Sequence, residues 1–274
     1  RRVHVMEKSI IKIKSMSFRY ENDYIFKDFD LEIKPNSFVC IIGKNASGKS
    51  TLVKILEGLY PASGYINIDG YLLNNFYLKK IRRSLGVCFD NPELHFIGET
   101  VKDDLAFSLE NLEYSKEEIE SSIQNISKKF KLDNILEKSP SEITESEKEK
   151  VAIASSLIYN PKIIILDEAI HKLTPSDKKL VFKVLLDYKK NEKLTIILIT
   201  HDLEDTLMSD RIIVLDKGKI ILDDTKEKIY KDEKLEKLGF TLPFMVKLSH
   251  NLILYDLLDR VYFDEEEAID KLWK

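Results

Sequence analysis

The apolar run Phe38–Ile42 ends abruptly in Gly43-Lys44-Asn45-Ala46-Ser47-Gly48-Lys49-Ser50, and nothing else in the chain restricts the fold as strongly. An unbroken apolar run of strand length is typical of a strand buried on both faces, as in a parallel sheet. The loop after it has the spacing G-x-x-x-x-G-K-[ST], and Ser50–Leu59 reads as a helix. Strand, glycine loop and helix in that order give this spacing its meaning. Glycines let the backbone wrap closely around a phosphate, while backbone N–H groups and a helix N-terminus supply partial positive charge. Lys49 is expected to reach the β- and γ-phosphates of a nucleotide, and the Ser50 hydroxyl to ligate Mg2+.

The remaining segments fit around this unit. Ile10–Lys14, Phe29–Ile33 and Tyr65–Asp69 alternate apolar and polar residues, as half-buried strands do. Leu85–Phe89, Lys162–Leu166 and Thr195–Thr200 are apolar runs, with a helix predicted over Asp177–Lys190. Strand, helix, strand signals a parallel sheet with crossovers. From Thr100 to about Asn160 the chain is charged, with apolar residues at helix spacing (Ile119, Ile123, Ile126, then Val151, Ala154, Ser155, Ile158). This stretch reads as a helical insertion within an α/β domain. Lys217-Gly218 sits between two short strands as a hairpin turn. From about Lys226 the chain reads as mostly helical and ends in the acidic segment Asp264–Asp270.

Ile163-Ile164-Ile165-Leu166-Asp167-Glu168 is an apolar strand ending in two carboxylates. Neighbours on a strand point in opposite directions, so the two are expected to do different work. Asp167 would hold Mg2+ through water, and Glu168 would polarise an attacking water.

A chain of 274 residues that is 43% hydrophobic and 33% charged can bury a core as one large domain or two smaller ones. Its net charge of −4 offers no electrostatic footprint for nucleic acid. No stretch approaches the ~20 apolar residues of a membrane span. The charged N-terminal residues lack the apolar region of a secretory leader, and Met6 is one candidate for the natural start. Cys40 and Cys88 lie in apolar stretches and are expected to be buried free thiols, consistent with a reducing compartment.

Taken in order, these motifs resemble those of the ABC ATPases. Across nearly the whole chain they resemble the A component of energy-coupling-factor transporters, importers of vitamins and transition-metal ions. Phe18-Arg19-Tyr20 is similar to the strand end whose aromatic stacks on adenine. The loop continues through Thr51-Leu52, and Phe89-Asp90-Asn91-Pro92-Glu93 resembles the Q-loop. Glu99–Phe107 resembles the segment that follows it, and Thr200-His201-Asp202 the switch histidine. Leu242-Pro243-Phe244 and the final Leu272-Trp273 are similar to the same subfamily. The likeness implies a P-loop ATPase domain over residues 7–240: a RecA-like α/β core, an N-terminal antiparallel β subdomain and a helical subdomain inserted at about 90–160. A helical extension over 241–274 would make dimer contacts.

The same likeness implies an ATP-hydrolysing subunit with ATP and Mg2+ as ligands, on the cytoplasmic face of a membrane. Its partners would be a transmembrane coupling protein and a substrate-binding membrane protein. Tyr20, the loop from Gly43 to Thr51 and Asp90 would contact nucleotide. Ser50, Asp90 and Asp167 would hold the metal, and Glu168 and His201 would act in catalysis. An ATPase of another ABC importer, and a soluble ABC-type ATPase unconnected to transport, are the alternatives.

The chain departs from the family where it should serve a partner. The signature stretch, usually Leu-Ser-Gly-Gly-Gln, here reads Ile143-Thr144-Glu145-Ser146-Glu147. Side chains replace the glycines that permit close approach, and two carboxylates would face the γ-phosphate of a partner's ATP. Asp90 replaces the Q-loop glutamine, and Thr174 the D-loop aspartate. This chain's own loop and acidic pair are intact, so a heterodimer with a second ABC ATPase is expected. The acidic residues Asp90, Glu93, Glu99, Asp103 and Asp104 are expected to receive arginines from a membrane partner.

Overall fold

The computed structural model describes residues 9–91 and 96–273. Met6, Pro92 and Glu93 lie outside the described residues.

Two sheets organise the chain. The first is antiparallel, in the order β2 (Asp23–Ile33), β1 (Ile11–Tyr20), β4 (Ser63–Ile68), β5 (Tyr71–Leu72). The second runs β10 (Lys219–Thr225), β9 (Arg211–Asp216), β3 (Phe38–Ile42), β8 (Thr195–Thr200), β7 (Ile163–Asp167), β6 (Leu85–Phe89). Every pair in it is parallel except the β9–β10 hairpin.

β1 and β2 are longer than their alternation predicts, for a local reason. Ser15 (φ 47°) and Asp28 (φ 50°) adopt left-handed backbone conformations where the register slips, so the apolar alternation breaks and then resumes. The apolar runs of the second sheet have the expected cause. Phe38, Cys40, Ile42, Ile164, Leu166, Ile196 and Leu198 face one core, shared with the helical segments. Val39, Ile41, Ile163, Ile165, Ile197 and Ile199 face another, under the antiparallel sheet and α1 (Lys49–Leu56). Both strand faces are dry, so no polar alternation is tolerated. Cys40 and Cys88 are buried free thiols.

After α2 (Leu78–Ser84) and β6, three helices precede β7: α3 (Val101–Glu110), α4 (Lys116–Phe130) and α5 (Glu145–Leu157). Each opens with a reciprocal capping box, formed by Thr100 with Asp103, Ser115 with Glu118, and Thr144 with Glu147. α4 turns Ile123, Ile126 and Phe130 into the core, and Ile119 packs at its edge. α6 (Pro175–Glu192) crosses from β7 to β8. The C-terminal part adds α7 (Lys226–Ile229), α8 (Lys234–Lys237), α9 (Phe244–Leu254) and α10 (Glu265–Leu272). Met245, Leu258, Tyr262 and Ala268 form a small core of their own there.

Candidate functional site

The glycine loop leaves the C-terminal end of β3, with β8 and β9 on either side. Gly43 has no room for a side chain: a Cβ there would lie 2.4 Å from the Leu215 carbonyl oxygen and 2.5 Å from Ser47 Oγ. Gly48 caps α1 at φ 107°, a conformation that disfavours any other residue. No side chain caps α1, so its first N–H groups are open to an anion. Lys49 Nζ turns back over the loop and donates to the Gly43 carbonyl at 2.6 Å and the Lys44 carbonyl at 3.2 Å. Burial lowers the pKa of this ammonium, against the charges of Glu168 and Asp167, which favour it. Gly218 N–H braces the loop by donating to the Ser47 carbonyl at 2.9 Å.

The acidic wall comes from the neighbouring strands. Asp167 ends β7, beside Phe89 of β6 and Ile199 of β8. Strand alternation does not separate Asp167 from Glu168 as predicted. β7 stops at Asp167, and Glu168 sits in the following turn at φ 58°, its N–H donating to the Ile199 carbonyl at 3.0 Å. The turn, not the pleat, sends the two carboxylates apart. Asp167 is 4% exposed, and its Oδ1 has no partner within the protein. Burial pushes its carboxyl up to about 6, helped by Glu168 and Asp90 and opposed by a hydrogen bond from Ser50 and by Lys49. A hydroxyl and two carboxylates, one of them with an orphaned buried oxygen, form an all-oxygen donor set suited to a hard cation such as Mg2+.

Glu168 holds the other side. Its Oε2 lies 2.9 Å from His201 Nδ1 and in contact with His171 Nε2. The two imidazoles lie beside each other, their centroids 4.7 Å apart. Burial alone would raise the Glu168 pKa, but the hydrogen bonds from His171 and His201 outweigh it and hold the group low. The same bond to Glu168 raises His171 above its ordinary range.

These groups surround a cavity of about 610 Å³, lined by the loop from Asn45 to Thr51 and by Asp90, Glu149, Glu168, His171, Lys172 and His201. Gly43, Lys44 and the buried Asp167 are not among the lining residues. Tyr20 stands beside the cavity with its hydroxyl 3.3 Å from Thr51 Oγ1, edge-on to Phe18 and Tyr60. Three lining residues, Glu149, His171 and Lys172, were not foreseen. The only sequence signal for His171 is its place three residues after Glu168, within one turn of chain.

The stretch Ile143–Glu147 needs correction as a surface offered whole to a partner. Ile143 and Ser146 are buried. Ile143 packs into the helical core, and Ser146 Oγ donates to Asp177 Oδ2 at 2.6 Å while accepting from Thr174 N–H at 3.0 Å. Thr144, Glu145 and Glu147 stay accessible, but their polar atoms are engaged. Glu147 Oε2 accepts from both the N–H and the hydroxyl of Thr144, at 2.8 and 2.9 Å. Glu145 pairs with Lys148 at 2.8 Å and Lys172 at 3.2 Å. The turn after Glu168 is also fastened to α5 by Lys172 N–H on Glu149 Oε2, and the first turn of α6 by Lys150 on Asp177, each at 3.0 Å. Asp104 is a second correction. It is 3% exposed and accepts from Ile97 N–H, so it cannot meet a partner's arginine. Asp90, Glu99 and Asp103 are exposed, Asp103 with its carboxylate engaged in the capping box.

A glycine loop between a central parallel strand and a helix, facing the acidic end of a nearby strand, defines a P-loop nucleotide-binding ATPase. Comparison with known proteins narrows the class. Residues 26–171 match the ABC transporter family. The energy-coupling factor transporter ATP-binding protein EcfA1 of Ligilactobacillus salivarius is 39% identical over 96% of this chain and 95% of its own length. Among solved structures, cbiO1 of Clostridium perfringens, described as part of the ABC transporter complex cbiONQ, superposes with a TM-score of 0.76. It is 27% identical over 90% of this chain and all of its own. The ATP-binding cassette MJ0796, solved as a dimer bound to ADP and Pi after hydrolysis, superposes with a TM-score of 0.71. It is 26% identical over 78% of this chain and 98% of its own. The chain belongs to the ABC transporter family, as an ATP-hydrolysing subunit of the energy-coupling-factor type. Among the described residues no helix is long and apolar enough to cross a membrane.

Proposed function

We propose that this subunit energises a membrane importer of vitamins or metal ions by hydrolysing MgATP bound on the loop from Gly43 to Thr51. The observation that carries this reading is the convergence of that loop with Glu168 and His201 on one cavity. The open N–H groups of α1 and the Lys49 ammonium bind the phosphate chain, and Tyr20 stacks on the base. Ser50, Asp90 and Asp167 would hold Mg2+, which neutralises charge on the phosphate oxygens. Glu168, kept as a carboxylate by its imidazole neighbours, orients water for in-line attack on the γ-phosphate and draws off its proton. His201 and Lys49 stabilise the charge that develops on the transferred group. For this to happen His201 must leave Glu168 and turn to the γ-phosphate, so the arrangement described above is a resting one.

The partner in the ATP-bound state is a second, different ABC ATPase. Support comes from α5: its N-terminus, the anion-binding end of the helix, is already filled by the chain's own Glu147. A partner's γ-phosphate would have to displace that carboxylate. A homodimer therefore carries two poor sites, whereas a heterodimer keeps one good site built on this chain's loop. On the cytoplasmic face of the membrane, Glu99, exposed and outside the nucleotide cavity, remains to receive basic residues of a transmembrane coupling protein. A separate substrate-binding membrane protein supplies the cargo. The test is MgATP hydrolysis by this subunit alone and in complex with a second ATPase and the membrane component, with Glu168→Gln as control. Activity that appears only in the complex and is lost in Glu168→Gln is expected. Full activity of the subunit alone would refute the asymmetric arrangement.

A further inference from the structure

Two imidazole nitrogens from different segments meet one carboxylate oxygen at the mouth of the cavity. One donor atom from each of Glu168, His171 and His201 lies within 4.8 Å of the other two, and among the described residues no other such trio of His, Cys, Asp or Glu converges. A single ion pair accounts for one ring on Glu168 Oε2. It gives no reason for a second ring to approach the same oxygen alongside the first, as His171 and His201 do. Two imidazoles and a carboxylate make a mixed nitrogen–oxygen donor set, the kind chosen by borderline divalent ions of the first transition row.

We propose that Glu168, His171 and His201 bind such an ion, Zn2+ fitting best, in the nucleotide-free subunit, and that the bound ion blocks ATP hydrolysis. Three protein ligands leave a fourth tetrahedral position for water. Bonds of about 2.0–2.2 Å put tetrahedral donor atoms about 3.4 Å apart, so shifts on the order of an ångström in the side chains complete the site. The backbone holds the ligands in place: Glu168 N–H is bonded to Ile199, two residues before His201, and Lys172 N–H to Glu149. The three side chains are 19–61% exposed, so an ion has a path in. Mg2+ prefers oxygen donors and does not compete here.

The inhibitory half of the proposal rests on the roles given above to Glu168 and His201. An ion that holds both residues together denies one to the water and the other to the γ-phosphate. Metal and nucleotide then weaken each other's binding by the same factor.

Metal-stripped, nucleotide-free subunit is titrated with Co2+, read by visible absorption, and with Zn2+, read by calorimetry. His171→Ala, His171→Gln and His201→Ala are titrated beside it. One site per chain is expected, with intense four-coordinate Co2+ bands, and each variant should weaken it by about tenfold or more. In the assembled ATPase, Zn2+ should inhibit hydrolysis, a chelator should reverse this, and His171→Gln should need about tenfold more Zn2+ for the same inhibition. Absence of the Co2+ bands, or affinity unchanged in all three variants, overturns the site. Binding without inhibition overturns the blocking role. An assembly that never hydrolyses ATP yet contains a subunit that binds Co2+ refutes the proposed function and leaves the site standing.

Discussion

Replacing Asp167 with asparagine should make the nucleotide-free protein more stable while it removes a proposed ligand of Mg2+. The carboxyl titrates near 3.8 in the unfolded chain and near 6 in the fold, because burial with an unpaired oxygen disfavours the charge. A carboxyl raised in this way helps the fold only while protonated. Its contribution is complete below pH 3.8 and is lost as pH rises through about 6. With 1.36 kcal/mol for each pH unit between the two values, ionised Asp167 destabilises the protein by about 3 kcal/mol at pH 7.5. At pH 5, where most of the folded molecules already carry the proton, the penalty is roughly half as large. Asparagine has nearly the same shape and no charge. Urea unfolding of wild type and Asp167→Asn at both pH values is the assay, and the stability gap should roughly halve on going to pH 5. Saturating MgATP should narrow or reverse the gap at pH 7.5, since only wild type gains the full ligand-linked stabilisation. An Asp167→Asn protein less stable than wild type at pH 7.5, or a gap independent of pH, would refute the reasoning.

Gly43→Ala should abolish nucleotide binding, measured by fluorescent-nucleotide titration, and lower the melting temperature, because its Cβ meets the Leu215 carbonyl at 2.4 Å. Binding within twofold of wild type would mean that the loop tolerates the shift. Tyr20→Ala should weaken ATP by about threefold to tenfold, the worth of one aromatic stack, while Tyr20→Phe binds normally. Glu145→Gly combined with Glu147→Gln should raise hydrolysis by the subunit alone several-fold, since it removes two negative charges from the end of α5; an unchanged rate would acquit the signature stretch. Thr144→Ala, which deletes the N-cap of α5, should cost about 1 kcal/mol in urea unfolding.

The layers of the fold could be read from the sequence because burial leaves a mark in composition. Phe38–Ile42 and Thr195–Thr200 are apolar throughout because both faces of their strands are covered. β1 was legible only to Lys14, because a left-handed residue at Ser15 resets the alternation and marks nothing in composition. The glycine loop was legible because its backbone demands glycine at Gly43 and Gly48. His171 was not, because nothing in a linear pattern says that the turn after β7 brings it back onto Glu168. Nor could the sequence say that Glu147 bends onto Thr144, or that Ser146 and Asp104 turn inward. Those outcomes depend on which hydrogen-bond partners the packing supplies.

The fastening of α5 to the turn after Glu168 has a mechanical consequence. Five links, from Ser146 to Thr174 and to Asp177, Glu149 to the Lys172 backbone, Lys150 to Asp177 and Glu145 to Lys172, tie the helix to the segment between Glu168 and α6 and to the first turn of α6. A push on the N-terminal end of α5 would therefore be delivered to the turn that carries Glu168 as through a stiff crank. The exposed end of α5 and the mouth of the cavity would then keep the same time.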